Sequence, residues 1–109
     1  MPNILPIHPG MLEAEFQAEI IKFAESQGWD HIYHTYDSRR CTPGFQDLFL
    51  LKGNYANIIE LKRDKKQKLT QAQISWMEAW DKVTIKNVDV WTPEMADEIV
   101  RILMEKGKF

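Results

Sequence analysis

Thr42-Pro43-Gly44-Phe45-Gln46-Asp47-Leu48-Phe49-Leu50-Leu51-Lys52-Gly53-Asn54-Tyr55-Ala56-Asn57-Ile58-Ile59-Glu60-Leu61-Lys62 is the stretch on which the fold turns. It reads as two strands, 47–52 and 55–62, joined by a tight turn at Gly53-Asn54. Asp47 opens the first strand, and Glu60 and Lys62 close the second. Residues two apart on a strand point to one face, so Glu60 and Lys62 point together and Asp47 reaches them from the neighbouring strand. Two acids and a lysine at the open end of a hairpin can hold a divalent cation beside a phosphate. The runs Leu48–Leu51 and Ile58, Ile59, Leu61 are nearly continuous in apolar residues, which predicts strands covered on both faces and a central sheet between helices.

Outward from the hairpin, residues 30–36 alternate as a strand. Ile32, His34 and Tyr36 share one face; His31, Tyr33 and Thr35 share the other, so His31 and His34 are not a metal pair. Ser38-Arg39-Arg40 lies in the loop 37–44, where adjacent arginines suit phosphate oxygens or form a solvated pair. Upstream, 11–27 reads as an amphipathic helix ended by Gly28, with Leu12, Phe16, Ile20, Phe23, Ala24 and Gln27 as the buried stripe. Glu13 lies on the stripe side, either complementing the helix dipole or serving a metal site. Residues 1–10, with three prolines, read as an extended or poorly ordered N-terminal arm carrying a surface His8. The remainder, 11–109, reads as one domain.

Downstream, 63–69 is a basic loop whose Lys65, Lys66 and Lys68 are an exposed charged run or a contact for a nucleic-acid backbone. Thr70 caps a second helix through Lys82, with Trp76 and Trp80 in the core and Gln73 on an inward stripe. Residues 86–91 form a fourth strand. Thr92 as N-cap and Pro93 at N1 open a last helix to about residue 106, with Ile99, Ile102 and Leu103 inward.

Composition sets limits on function. The 109 residues are 44% hydrophobic and 11% aromatic with four Trp, enough for a real core. No run of about 18 apolar residues and no signal-peptide pattern occur, which predicts a soluble cytoplasmic protein without a membrane partner. A lone cysteine, Cys41, makes no internal disulfide and reads as an incidental thiol in a reducing compartment. The net charge of −2 argues mildly against a broad basic surface, although basic groups flank the acids locally. Carboxylates suit Mg²⁺ or Mn²⁺, and there is no Cys/His cluster for zinc and no organic-cofactor motif.

The order helix, three strands, helix, strand, helix resembles the restriction-endonuclease-like PD-(D/E)xK nuclease fold, an α/β core with a mixed central sheet flanked by helices. The closer resemblance is to the virus-type replication-repair nuclease domain, VRR-NUC, in its small stand-alone phage and bacterial form. It rests on Glu13-Ala14-Glu15-Phe16-Gln17, Ser38-Arg39-Arg40, Pro43-Gly44-Phe45-Gln46-Asp47-Leu48, Glu60-Leu61-Lys62, Leu69-Thr70-Gln71-Ala72-Gln73-Ile74-Ser75-Trp76 and Val90-Trp91-Thr92-Pro93. The resemblance implies that Asp47 and Glu60 are metal ligands, with the Leu61 carbonyl beside them. It makes Lys62 the motif lysine, Glu13 the helix acid, bound directly or through water, and Gln73 the supporting glutamine. It departs at Gln46, where the family usually has proline, a change expected to alter loop stiffness and not chemistry. What it implies is an Mg²⁺- or Mn²⁺-dependent DNA endonuclease acting on branched DNA such as Holliday junctions, as a homodimer in a bacterial cell or phage-infected host. The alternatives are an inactive DNA-binding module of the same fold, or a nuclease for flaps, single strands or linear duplex. The residues leave open whether Lys62 positions water, deprotonates it or stabilises charge, and whether one metal acts or two.

Overall fold

A computed structural model describes residues 5–35, 42–53, 55–82 and 86–105. Ser38, Arg39, Arg40, Cys41, Tyr36 and Asn54 lie outside the described residues. The elements are α1 (Glu13–Ser26), β1 (His31–His34), β2 (Leu48–Lys52), β3 (Tyr55–Leu61), α2 (Gln71–Asp81), β4 (Lys86–Trp91), a 3₁₀ turn (Pro93–Met95) and α3 (Ala96–Glu105). This is the order expected from the sequence. The strands form one sheet in the order β1-β2-β3-β4. β1, β2 and β3 run antiparallel, whereas β4 pairs parallel with β3. A parallel neighbour needs a crossover, and α2 is that crossover.

The register sorts the side chains. Leu48 pairs with Ile59, so Leu48, Leu50, Ile59 and Leu61 share one face of the sheet. That face is closed by Phe16, Ile20, Phe23 and Ala24 of α1 and by Ala96, Ile99 and Leu103 of α3, with Trp29 and Trp91 filling the ends. Trp29 Nε1 donates to the Leu103 carbonyl at 3.1 Å, joining the turn after α1 to α3. α1 stops where Gly28 adopts φ +88°, a left-handed conformation that glycine reaches without strain. Ile7 and Met11 are also buried in this core, so the N-terminal segment packs through Ile7 while His8 stays exposed.

The second face is covered by α2 through ring contacts. Phe45 meets Trp76 edge-on with centroids 5.1 Å apart, and Phe49 meets Trp80 at 6.0 Å. Coverage here is thinner than the apolar runs suggest. No side chain of α2 is fully buried, Trp76 and Trp80 included, and Leu51 is 45% exposed. The reason is width: one helix of about 10 Å diameter covers roughly two strands spaced about 4.8 Å apart. Leu12, expected in the buried stripe, is 67% exposed. It occupies the N-cap position with extended φ and ψ, so the helical period does not yet apply to it. Thr92 precedes the 3₁₀ turn with Pro93 at its start, but the Thr92 side chain makes no capping bond. Among the described residues no helix is long and apolar enough to cross a membrane.

The loop before β2 is wedged against α2. Gly44 has φ +84°, and a Cβ there would meet the Ala72 backbone carbon at 2.3 Å. Gly44→Ala is therefore expected to cost about 2–5 kcal/mol, strain and overpacking together. Gly53 also has positive φ but has open space around it, so Gly53→Ala is expected to cost only about 1–2 kcal/mol. Urea unfolding of the two variants checks the ranking; equal losses would mean that Gly44 is not packed on α2.

Candidate active site

A cavity of about 460 Å³ opens where the ends of β2 and β3 meet the first turns of α1 and α2, and Glu13, Gln17, Phe45, Asp47, Glu60 and Gln73 line it. Asp47 stands one residue before β2. Its N–H donates to the Ile59 carbonyl at 3.1 Å, and its carbonyl accepts from the Thr35 N–H at 3.0 Å. Its Oδ2 accepts from the Leu61 N–H at 2.8 Å. Three backbone bonds thus fix Asp47, one of them made to its carboxylate.

Glu60 points to the α2 face of the sheet and is only 3% exposed. A buried carboxylate is costly unless it is paired or protonated. Its Oε2 accepts from Gln73 Nε2 at 2.9 Å and lies 4.0 Å from the Lys62 ammonium. Its Oε1 has no hydrogen-bond partner. Burial first, and then the neighbouring Asp47 carboxylate, push the Glu60 carboxyl up to about 8, with Lys62 opposing and Glu13 adding. Two carboxylates this close need a shared proton or a cation between them.

Gln73 joins the acid to the lysine and to the helix. Its Oε1 accepts from Lys62 Nζ at 2.8 Å and from the Thr70 N–H at 2.8 Å. Its own N–H donates to Thr70 Oγ1 at 3.1 Å, completing a capping box. One amide therefore starts α2 and grips Glu60. Lys62 sits behind it. The lysine is 5% exposed and lines a second cavity of about 550 Å³ with Asp64 and Glu94, not the cavity of the acids.

The other expected residues are placed as follows. Glu13 is solvent-facing on the cavity rim, not aimed at the core, because it is the first residue of α1. Its carboxyl is raised by partial burial and by Asp47, with Lys62 and Arg63 opposing. Among the described residues no three His, Cys, Asp or Glu side chains are grouped so as to hold a metal ion, and Glu13 shares the cavity with Asp47 and Glu60. Asp64 Oδ1 accepts from the N–H groups of Lys66 and Gln67, at 2.9 and 3.1 Å, making a turn that presents Lys65, Lys66 and Lys68 to solvent. Ser38, Arg39 and Arg40 fall outside the described residues. His34 hydrogen-bonds Gln17 at 3.4 Å, and His31 pairs with Asp30 on the opposite face. Gln17 went unrecognised as a lining residue, although its position four residues after Glu13, one turn on, signals a shared face.

Gln46 differs most from expectation. Its side chain is fully buried and hydrogen-bonded to Trp80 and to the Gly44 carbonyl. The sequence carried no signal for this, since the partner lies 34 residues away.

The donor set suits a hard divalent cation. It consists of two adjacent carboxylates, one with a buried oxygen lacking any donor, beside the strand end that carries the Leu61 carbonyl. No protein-family model matches the chain, and no curated protein matches it. Among solved structures it is similar to a "VRR_NUC domain protein", at 22% identity over 88% of each chain with a TM-score of 0.68. The chain thus has the α/β fold of that VRR-NUC domain protein, as its motifs led one to expect.

The raised carboxyl of Glu60 makes stability depend on pH in a definite direction. Folding favours the protonated acid, so its contribution is fully present below the unfolded value near 4.5 and is lost as pH rises through about 8. In chelator, thermal unfolding should show stability falling by on the order of a few kcal/mol across that window. Glu60→Gln should flatten the fall; an unchanged slope would mean that Glu60 is not the titrating group.

Proposed function

We propose that this protein is a metal-dependent DNA endonuclease that hydrolyses phosphodiester bonds in branched DNA, in the manner of a Holliday-junction resolvase, and works as a homodimer. The observation that carries this reading is the pairing of the buried Glu60 with Asp47, with Lys62 held beside them by Gln73, at an open cavity. Asp47 and Glu60, with the Leu61 carbonyl, would hold Mg²⁺ or Mn²⁺, and Glu13 on the rim would act through water. Bound there, the ion supplies an activated water and neutralises charge on the phosphate.

The chain's own part is positioning. Gln73 keeps Glu60 from turning away, and the Leu61 N–H orients Asp47. Lys62 places a positive charge 4.0 Å from Glu60 Oε2, held there by Gln73. Lys65, Lys66 and Lys68, with Ser38, Arg39 and Arg40, would contact the sugar-phosphate backbone. Two symmetric cuts in a four-way junction require two sites, which is the reason for a dimer.

A second reading, a DNA-binding module without catalysis, is favoured by the Lys62 ammonium being bonded to Gln73 and by the lack, among the described residues, of three His, Cys, Asp or Glu side chains grouped to hold a metal. A labelled panel of four-way junction, flap, splayed arm, linear duplex and single strand separates the two, each incubated with Mg²⁺, with Mn²⁺ and with chelator. Paired, metal-dependent cuts confined to the junction are expected, with Glu60→Ala and Lys62→Ala each lowering the rate by about 100-fold or more. Cutting only at flaps or ends would replace the branched substrate. Tight binding without cutting of any substrate would leave the binding module.

A further inference from the structure

The place of Asp47 depends on the residue before it. Gln46 is fully buried, and a buried primary amide is costly unless both of its ends are hydrogen-bonded. Both ends are used. Oε1 accepts from Trp80 Nε1 at 2.9 Å, and Nε2 donates to the Gly44 carbonyl at 3.2 Å. The Gln46 carbonyl accepts from Thr35 Oγ1 at 2.9 Å, which ties the same residue to the end of β1.

These bonds form a closed circuit. Gly44 abuts Ala72 in the first turn of α2, and Gln46 takes its bond from Trp80 near the helix end. The same helix carries Gln73, whose amide holds Glu60. Asp47 and Glu60 are therefore located relative to each other twice. One route runs through the strand backbone, from the Asp47 N–H to the Ile59 carbonyl and from the Leu61 N–H to Asp47 Oδ2. The other runs through Gln46, Trp80, α2 and Gln73. A filler needs volume alone, whereas this side chain makes directional bonds at both ends.

We propose that Gln46 is a positioning residue of the acid pair, acting through Trp80 to set the separation of Asp47 and Glu60. Its consequence for metal affinity rests on the hydrolase reading above; its consequence for the placement of Asp47 does not. The Leu61 N–H donates to Asp47 Oδ2, so its amide resonance reports the carboxylate position with no metal present.

The test uses the full chain with Gln46→Met, which keeps length and removes both bonds, Trp80→Phe, which keeps a ring and removes the donor, and the double variant. The Leu61 cross-peak is read in amide NMR spectra, Mn²⁺ affinity by calorimetry, and kcat and KM on whichever substrate the wild type cuts, all well below each variant's Tm. Both single variants should shift the Leu61 resonance while those of Phe16 and Ile99 stay in place. They should weaken Mn²⁺ binding about 10-fold and lower kcat more than they raise KM. The double variant should lose no more than the worse single one, because both remove the same bond. Should Gln46→Met fail to fold, Trp80→Phe decides. Leu61 and Mn²⁺ affinity at wild-type values in the variants would overturn the proposal. A wild type that neither binds Mn²⁺ nor cuts, with Leu61 still displaced in the variants, would overturn the hydrolase reading and uphold the positioning role.

Discussion

Burying Glu60 beside Asp47 is the constraint around which the molecule is arranged. A carboxylate that is 3% exposed, next to a second acid, is unfavourable in its charged form. Two neighbours offset that cost in part: Gln73 donates to one oxygen and Lys62 lies within ion-pair distance of it, while the other oxygen is buried without a donor. Such an arrangement favours the protonated form of Glu60.

The amide of Gln73 links this local problem to the architecture. Because its Oε1 also accepts the Thr70 N–H, the start of α2 and the orientation of Glu60 are set by one side chain. A helix N-terminus leaves N–H groups without partners, and here satisfying one of them aims the site. The two faces of the sheet divide the labour. The face toward α1 and α3 is fully packed and carries the stability. The face toward α2 is held by aromatic rings and hydrogen bonds, leaving room for a cavity between layers.

Much of this could be read along the chain. The turn at Gly53, the capping role of Thr70, the stop at Gly28 and the convergence of Glu60 and Lys62 all rest on short-range rules. Those rules are the period of a strand, the preference of a cap and the freedom of glycine at positive φ. Leu12 and Leu51 are more exposed than the patterns predict, for a related reason. Periodicity indicates which residues share a face, but not where a helix begins to obey it or how far a covering helix extends.

By itself, then, the sequence determined the element order, the strand pairing through the hairpin and the identity of the charged residues at its open end, because each depends on neighbours a few positions apart. Only the tertiary structure decided that Gln46 reaches Trp80, that the Lys62 ammonium bonds Gln73, and that Glu13 lies exposed at the cavity of the acids. Those outcomes depend on how α1 and α2 dock on the sheet. Docking sums many weak contacts across long separations, which no local pattern of residues records.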